Sequence, residues 1–369
     1  MKTPDILAHQ IALTLIPGIG AVTARNLIAY VGSVEGVFQE KEKSLMKIPG
    51  VGEVNAQRII RQNVLDRAKR EVDFILKNEI QTLFYLDDNY PARLKGCSDS
   101  PIILYFKGNA NLNQLRVISI VGTRNATNYG KEICDELIRS FSERDYKLLV
   151  ISGLAYGIDI HAHKACLKYN VPTVGVFAHG LDTIYPSLHS SIASKMLENG
   201  GLITDFVSDT VIDRQNFLRR NRIIAGLADA TIIVESAEKG GALVTADIAN
   251  SYNRDVFAFP GRSNDLYSRG CNKIIKLNEA VLVENSADIE KAMNWDVKTS
   301  SPRVFQASLF EELTTEESKL IGLLKEGDRF VDEITAETQM PMSRASALLL
   351  GLEFRGLVVS LPGKMYRLK

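Results

Sequence analysis

The residues best suited to chemistry in this sequence are glycines and arginines gathered in four short segments, each where an apolar β-branched run gives way to a helical stretch. The first is Val121-Gly122-Thr123-Arg124-Asn125. Glycine there lets a ligand approach the main chain, Thr123 offers a hydroxyl, and the Arg124 guanidinium can grip two phosphate oxygens at once. The second is Ser152-Gly153-Leu154-Ala155-Tyr156-Gly157-Ile158-Asp159. Its glycines and free amides suit a further phosphate, Tyr156 can stack a base, and His163 lies one helical turn beyond Asp159 on the same face. The third, Phe217-Leu218-Arg219-Arg220-Asn221-Arg222, crowds arginines whose like charges repel unless an anion neutralises them. The fourth, Lys239-Gly240-Gly241-Ala242-Leu243-Val244-Thr245, opens a helix whose first amides make a nest for phosphate. Together the segments predict a site for several spaced phosphates, as a nucleic-acid strand presents them. Asp159 and His163 are read as a cap and a structural hydrogen bond that support it.

Other chemistries lack their residues. No G-x-G-x-x-G opens the first α/β helix and no acidic residue ends the second strand, which disfavours a dehydrogenase. A phosphate-binding G-x-x-x-x-G-K-[ST] loop is absent, and Asp159, Asp182 and Asp205 are isolated in sequence, whereas nuclease chemistry needs clustered carboxylates for metal. Cys97, Cys134, Cys166 and Cys271 show neither C-x-x-C nor zinc-like spacing with the histidines, so neither metal nor cofactor is expected and a reducing compartment fits. A nucleotide hydrolase, of the phosphoribohydrolase kind with a Rossmann-like core, is the alternative that fold analogy leaves open. An adaptor with a vestigial pocket is a third reading, which the intact arginine cluster disfavours.

The elements that must position these loops follow from the hydrophobic pattern. The chain of 369 residues is 45% hydrophobic and 24% charged, with no net charge. It reads as a soluble multi-domain protein in which phosphate must be met by local clustering. The N-terminal stretch carries Asp5 and His9 and no small-residue cleavage site, which argues against a signal peptide, and no apolar run is long enough to span a membrane. Over 83–290, apolar runs at 117–121, 148–152, 173–178, 230–235 and 256–260 alternate with helical stretches near 128–143, 159–169, 187–198, 216–226 and 241–252. That alternation predicts an α/β domain with a doubly wound parallel sheet and ligands at the C-terminal ends of its strands.

Two flanking regions differ from it. In residues 1–80, Ile16-Pro17-Gly18-Ile19-Gly20 is echoed by Ile48-Pro49-Gly50-Val51-Gly52, each followed by a helical stretch. This is the pattern of a helical domain of paired helix-hairpin-helix (SAM-like) units, whose turns need glycine at positive φ. A linker is expected over 291–312 and a winged helix over 313–369. The winged helix's recognition stretch, SRASALLLGLEFRG, is largely apolar, and residues 312–369 hold eight Lys and Arg against nine Asp and Glu. A partner-binding or regulatory module is expected there, rather than a phosphate reader.

The blocks VGTRNATNYGKEICDEL, ISGLAYGIDIHAHKACL, VFAHGLDTIYPSLHSSI, GGLITDF, FLRRNRIIAGLADATIIVESAEKGGALVTADIA and RDVFAFPGRSNDLYSRGCNKII stand in the order found in the DNA processing protein A (DprA/Smf) family. The chain resembles that family along its whole length. The resemblance implies an extended Rossmann-like fold that binds single-stranded DNA without regard to base sequence, protects incoming DNA and loads the RecA recombinase in natural transformation. It also implies a non-catalytic, cytoplasmic homodimer joined through the Rossmann-like domain. By position, Gly122, Thr123 and Arg124 stand at the family's G-S/T-R motif, Ser152, Gly153, Gly157 and Asp159 at S-G-L-A-x-G-I-D, and Arg220, Asn221 and Arg222 at R-N-R. Tyr156 departs from the lysine of some members, and Gly240-Gly241 from the usual Ser-Gly.

Overall fold

The computed structural model describes residues 3–144, 146–295 and 313–369. Contacts divide the chain into one unit ending at Glu284 and another beginning at Asn285. Six helices open the first unit: α1 (Pro4–Leu15), α2 (Ala21–Val31), α3 (Val34–Gln39), α4 (Glu42–Leu45), α5 (Glu53–Ile60) and α6 (Leu65–Lys77). The two Pro-Gly hairpins precede α2 and α5. Gly18 and Gly50 adopt φ of 83° and 80°, in the left-handed region where a side chain would be strained. The hairpins brace one another across the repeat: Asn26 of α2 donates to the Pro49 carbonyl at 3.1 Å, and Arg58 of α5 to that of Pro17 at 3.4 Å. The helices also lean on the sheet, since Ile11, Leu27, Ile59 and Val72 share a core with Phe84, Ile103 and Tyr105.

The sheet is built from β1 (Gln81–Phe84), β2 (Ile103–Gly108), β3 (Arg116–Val121), β4 (Leu148–Ser152), β5 (Thr173–Val176), β6 (Gly200–Thr204), β7 (Ala230–Ile233), β8 (Asp255–Ala258) and β9 (Val281–Leu282). Interleaved are α7 (Ala92–Lys95), α8 (Asn128–Glu143), α9 (Ile158–Lys168), α10 (Ser190–Met196), α11 (Arg214–Leu227), α12 (Gly241–Ser251) and α13 (Arg269–Lys276). Among the described residues these nine strands form one sheet in the order β1-β2-β6-β5-β4-β3-β7-β8-β9. Strands β3 to β9 run parallel, while β2 pairs antiparallel with β6 and β1 with β2. The fold is Rossmann-like and doubly wound, with an antiparallel edge that the alternation of strand and helix does not announce.

Chain order locates the crevice. From β3 the chain winds outward through β4, β5 and β6, then returns to the other side of β3 for β7, β8 and β9. Right-handed crossovers put the helices of the two directions on opposite faces. The directions diverge between β3 and β7, and in such sheets ligands bind above the C-terminal strand ends at that divergence.

The second unit holds α14 (Ser286–Ala292), α15 (Thr315–Lys325), β10 (Arg329–Phe330), α16 (Val331–Thr338), α17 (Met342–Phe354), β11 (Val358–Leu361) and β12 (Met365–Leu368). Three helices and the sheet β10-β12-β11 close over Leu320, Leu324, Ile334, Leu349 and Val358, which makes a winged helix. Thr314 starts α15 with a reciprocal capping box to Glu317. From residue 296 on, the expected linker lies outside the described residues. On α17, Arg344 pairs with Glu316 at 2.7 Å and Leu350 and Phe354 are exposed, while Arg355, just past its end, pairs with Glu317.

Candidate functional site

A cavity of about 390 Å³ opens above the ends of β3 and β7. The loop after β3 supplies Gly122, Thr123 and Arg124 to its wall, α11 supplies Phe217, Arg220 and Asn221, and the start of α12 supplies Gly240, Gly241 and Thr245. All four expected segments therefore contribute to one place, the Ser152–Asp159 segment through Ala155 and Asp159.

The α12 end turns its N-terminal amides toward the cavity. Gly240 caps the helix without any side-chain hydrogen bond, and while the Leu243 amide donates to the Gly240 carbonyl at 3.1 Å, the Gly241 and Ala242 amides have no partner within the helix. A methyl group built on Gly241 would meet nothing within 4 Å, which leaves the positive end of the helix dipole open to the cavity.

Arg220 is the buried charge of the site. Its side chain is almost wholly buried, Nη1 donates to the Val176 carbonyl at 2.6 Å, and Nε is buried without a hydrogen-bond partner. Burial pushes its pKa down to about 10, against the pull of Asp159, and the charge of Arg124 lowers it further. The group stays protonated at neutral pH. Arg124 is exposed at the mouth. The Phe217 ring lies between them, 5.3 Å from the Arg124 guanidinium carbon and 6.0 Å from that of Arg220, and cation–π attraction holds both cations toward the cavity. Two guanidinium groups and a helix N-terminus thus face one space, opposed by the Asp159 carboxyl. Burial raises the Asp159 pKa, which Arg220 opposes, and the carboxylate accepts the Gly153 amide at 3.2 Å.

The glycines act differently from the expectation that they admit a ligand to the main chain. A methyl group on Gly153 would lie 2.0 Å from Arg220 Nη1. Gly157, at φ 76°, leaves room for the Thr123 carbonyl, which would lie 2.1 Å from an added methyl. Both make space for neighbouring protein groups, and the site owes its compactness to them.

Several expected residues are not brought to this cavity. The Ser152 hydroxyl is buried and donates to the Ile120 carbonyl at 2.6 Å. His163 is fully buried, with Nδ1 2.7 Å from the Thr173 hydroxyl, and burial pushes its pKa down to about 3. Tyr156 is exposed but packs its ring against His189 at 5.2 Å, outside the lining. Arg219 and Arg222 are the main correction. They point to a second cavity, where Arg222 pairs with Asp205 at 2.6 Å and Arg219 stacks over Phe206 at 5.3 Å. Helical periodicity is the reason, because residues 100° apart cannot all share one face.

The sequence reading missed three contributors. Phe217 stands at the head of the arginine run, and an aromatic residue next to clustered arginines is the available signal. Arg214, one turn earlier on α11, also lines the cavity. Glu235 is buried at the end of the β7 segment, where its carboxylate accepts the Thr127 amide at 2.9 Å and its carbonyl accepts the Thr123 amide at 2.7 Å. It fastens the Gly122–Arg124 loop and the start of α8 to the sheet. The carboxylates of Asp159 and Asp205 remain apart, on the Gly153 amide and on Arg222 respectively. No group of three metal-ligating side chains occurs among the described residues.

Comparison with known proteins agrees with this architecture. A family model described as DNA recombination-mediator protein A matches residues 81–294, one for a SAM-like helix-hairpin-helix tandem matches 11–62, and one for a DprA winged helix domain matches 307–364. A putative DNA processing protein DprA of Mycobacterium tuberculosis is 30% identical over 92% of this chain and 88% of its own. The X-ray structure of DNA processing protein A from Streptococcus pneumoniae matches with a TM-score of 0.63 at 26% identity, covering 79% of this chain and 98% of that one. A structure of the Helicobacter pylori DNA processing protein A, described for its single-stranded DNA binding mode, matches with a TM-score of 0.53 at 27% identity, covering 59% of this chain and 97% of that one.

Proposed function

The chain belongs to the DprA/Smf family of DNA processing proteins, and on that premise we propose that its first cavity holds single-stranded DNA by the phosphates. The observation that carries the proposal is the pairing of a buried, incompletely partnered Arg220 with an uncapped helix N-terminus, beside the exposed Arg124. A buried guanidinium is costly unless its charge is met. Asp159 meets one of the positive charges that Arg124, Arg214 and Arg220 bring to the cavity, and a phosphodiester there meets another. Because the donors are amides and guanidinium groups, they read phosphate and leave base sequence unread. The binding of single-stranded DNA reported for the Helicobacter pylori relative supports the same reading.

The resemblance carries the proposal further. The protein acts in the cytoplasm without catalysis of its own, protects incoming strands, and loads the RecA recombinase onto them during natural transformation. It does so as a homodimer joined through the Rossmann-like domain.

Fluorescence anisotropy with labelled oligo-dT tests the cavity. Losing one charge-assisted contact in Arg124→Ala should weaken binding at least about tenfold. The log–log salt dependence should become shallower by roughly 0.7. The melting midpoint should stay unchanged, because Arg124 is exposed. Unaltered affinity, or saturation of the site by a mononucleotide as tightly as by the strand, would overturn the assignment.

A further inference from the structure

The second cavity, of about 210 Å³, lies across α11 from the first. Arg220, Asn221 and Ile224 line one cavity, and Arg219 and Arg222 the other. Its far wall is the first hairpin, with Ile19, Gly20 and Ala21 at the start of α2.

Three features of this cavity ask for a ligand. The eleven-residue α2 begins at Gly20 with no side-chain cap, and a methyl group built on Gly20 would meet nothing within 4 Å. Its first amides and the positive end of its dipole therefore face open space. Arg219 is exposed at the rim, held by its stack on Phe206. The Asp205 side chain is only 7% exposed and gives Oδ2 to Arg222, while its Oδ1 is buried with no hydrogen-bond partner. A buried carboxylate oxygen without a donor is costly, and Asp205 is one of the residues lining this cavity.

These groups specify the chemistry of an occupant. An anionic group suits the α2 amides and Arg219, and an N–H suits Asp205 Oδ1. Inorganic phosphate at neutral pH meets the first demand poorly matched to the second, because the carboxylate repels it. A nucleotide meets both, since every base carries an N–H on its edge. We propose that the cavity between the first hairpin and α11 is a second single-strand subsite, taking a phosphate on the α2 N-terminus and Arg219 and a base N–H on Asp205. The proposal rests on the single-strand reading above. A strand held in the first cavity reaches the second by crossing the exposed first turns of α11, a rod of about 10 Å width.

The test compares a dinucleotide with a twenty-nucleotide oligo-dT by anisotropy, because at roughly 3.4 Å or a little more per nucleotide only the longer strand crosses α11 and fills both cavities. The variants are Arg219→Ala and Gly20→Asp. The second places a carboxylate at the helix cap, where it satisfies the α2 amides and repels phosphate, so its melting midpoint should match or exceed that of the wild type. The affinity advantage of the long strand over the short one should fall at least about threefold in both variants. An advantage that either variant leaves intact overturns the proposal. Arg124→Ala separates this result from the first reading: it should weaken both lengths together. Should Arg124→Ala leave both lengths unaffected while the hairpin variants erase the long-strand advantage, the first cavity fails and the second stands.

Discussion

Replacing Gly153 by alanine isolates what holds Arg220 in the first cavity. The backbone there lies outside the left-handed region, so alanine brings no dihedral strain, and its whole effect is the methyl group. That methyl would sit 2.0 Å from Arg220 Nη1 and 2.6 Å from Asp159 Oδ2. Arg220 must then give up its bond to the Val176 carbonyl. Losing a charged, buried hydrogen bond costs about 1.5–3 kcal/mol, and crowding adds about 1 kcal/mol. For a unit of this size, that total lowers the melting midpoint by roughly 5–12 °C. A displaced guanidinium also withdraws one phosphate contact, which weakens oligo-dT binding by about ten- to a hundredfold. Urea unfolding and anisotropy should be run as a double-mutant cycle with Arg220→Met, in which the guanidinium is gone. In that background Gly153→Ala should cost less than about 1 kcal/mol, a coupling that contacting residues show and distant ones do not. Equal costs in both backgrounds would refute the claim that Gly153 exists to make room for Arg220.

Three further outcomes follow from the same geometry. Arg222→Ala strands the Asp205 carboxylate and should lower stability in urea by about 3–5 kcal/mol; the affinity of a dinucleotide should hold, and a selective loss of that affinity would return Arg222 to the first cavity. Phe217→Ala frees both guanidinium groups from their shared ring, so oligo-dT affinity should fall about fivefold, as a cation–π contribution near 1 kcal/mol requires; full retention of affinity would dismiss the ring as a positioning element. The His163 pKa is pushed by burial down to about 3, below its unfolded value of 6.5, so its contribution is complete above pH 6.5 and is lost as the pH falls toward 3, by up to about 1.4 kcal/mol per pH unit. His179 acts in the same direction and Asp159, whose pKa is raised, in the opposite one; unfolding midpoints at pH 7 and pH 5 should therefore converge partly in His163→Gln, and parallel profiles would contradict this.

The parallel core was legible because its strands are apolar on both faces. Ile118, Val150, Val174, Ile232 and Phe257 are all buried, and continuous β-branched runs separated by helical stretches have few other solutions. The strands that escaped lack that signal. β6 begins with Gly200-Gly201, where the close packing of neighbouring backbone leaves no room for a side chain, and two glycines in sequence read as a turn. β1 and β2 precede the first helix of the α/β alternation and pair antiparallel, so no crossover marks them. The helical segment 1–80 was legible as paired hairpins, but not its sharing of a core with Phe84 and Ile103, since contacts between elements far apart in sequence leave no local periodicity.

The site teaches a narrower lesson about like charges. Arg219, Arg220 and Arg222 were read as a single cluster that an anion must neutralise. In the folded chain their repulsion is relieved mostly by direction: α11 sends Arg220 to one side and Arg219 and Arg222 to the other, and Asp205 neutralises Arg222. The cation that does share a space with Arg220 is Arg124, far away in sequence and joined to it through Phe217. On a helix, adjacency therefore divides charges between faces, while a common ligand gathers charges from separate elements. By that rule the arginine run marks two cavities flanking one helix, and if both take the strand as proposed, affinity should grow more steeply with oligonucleotide length once the strand is long enough to cross α11.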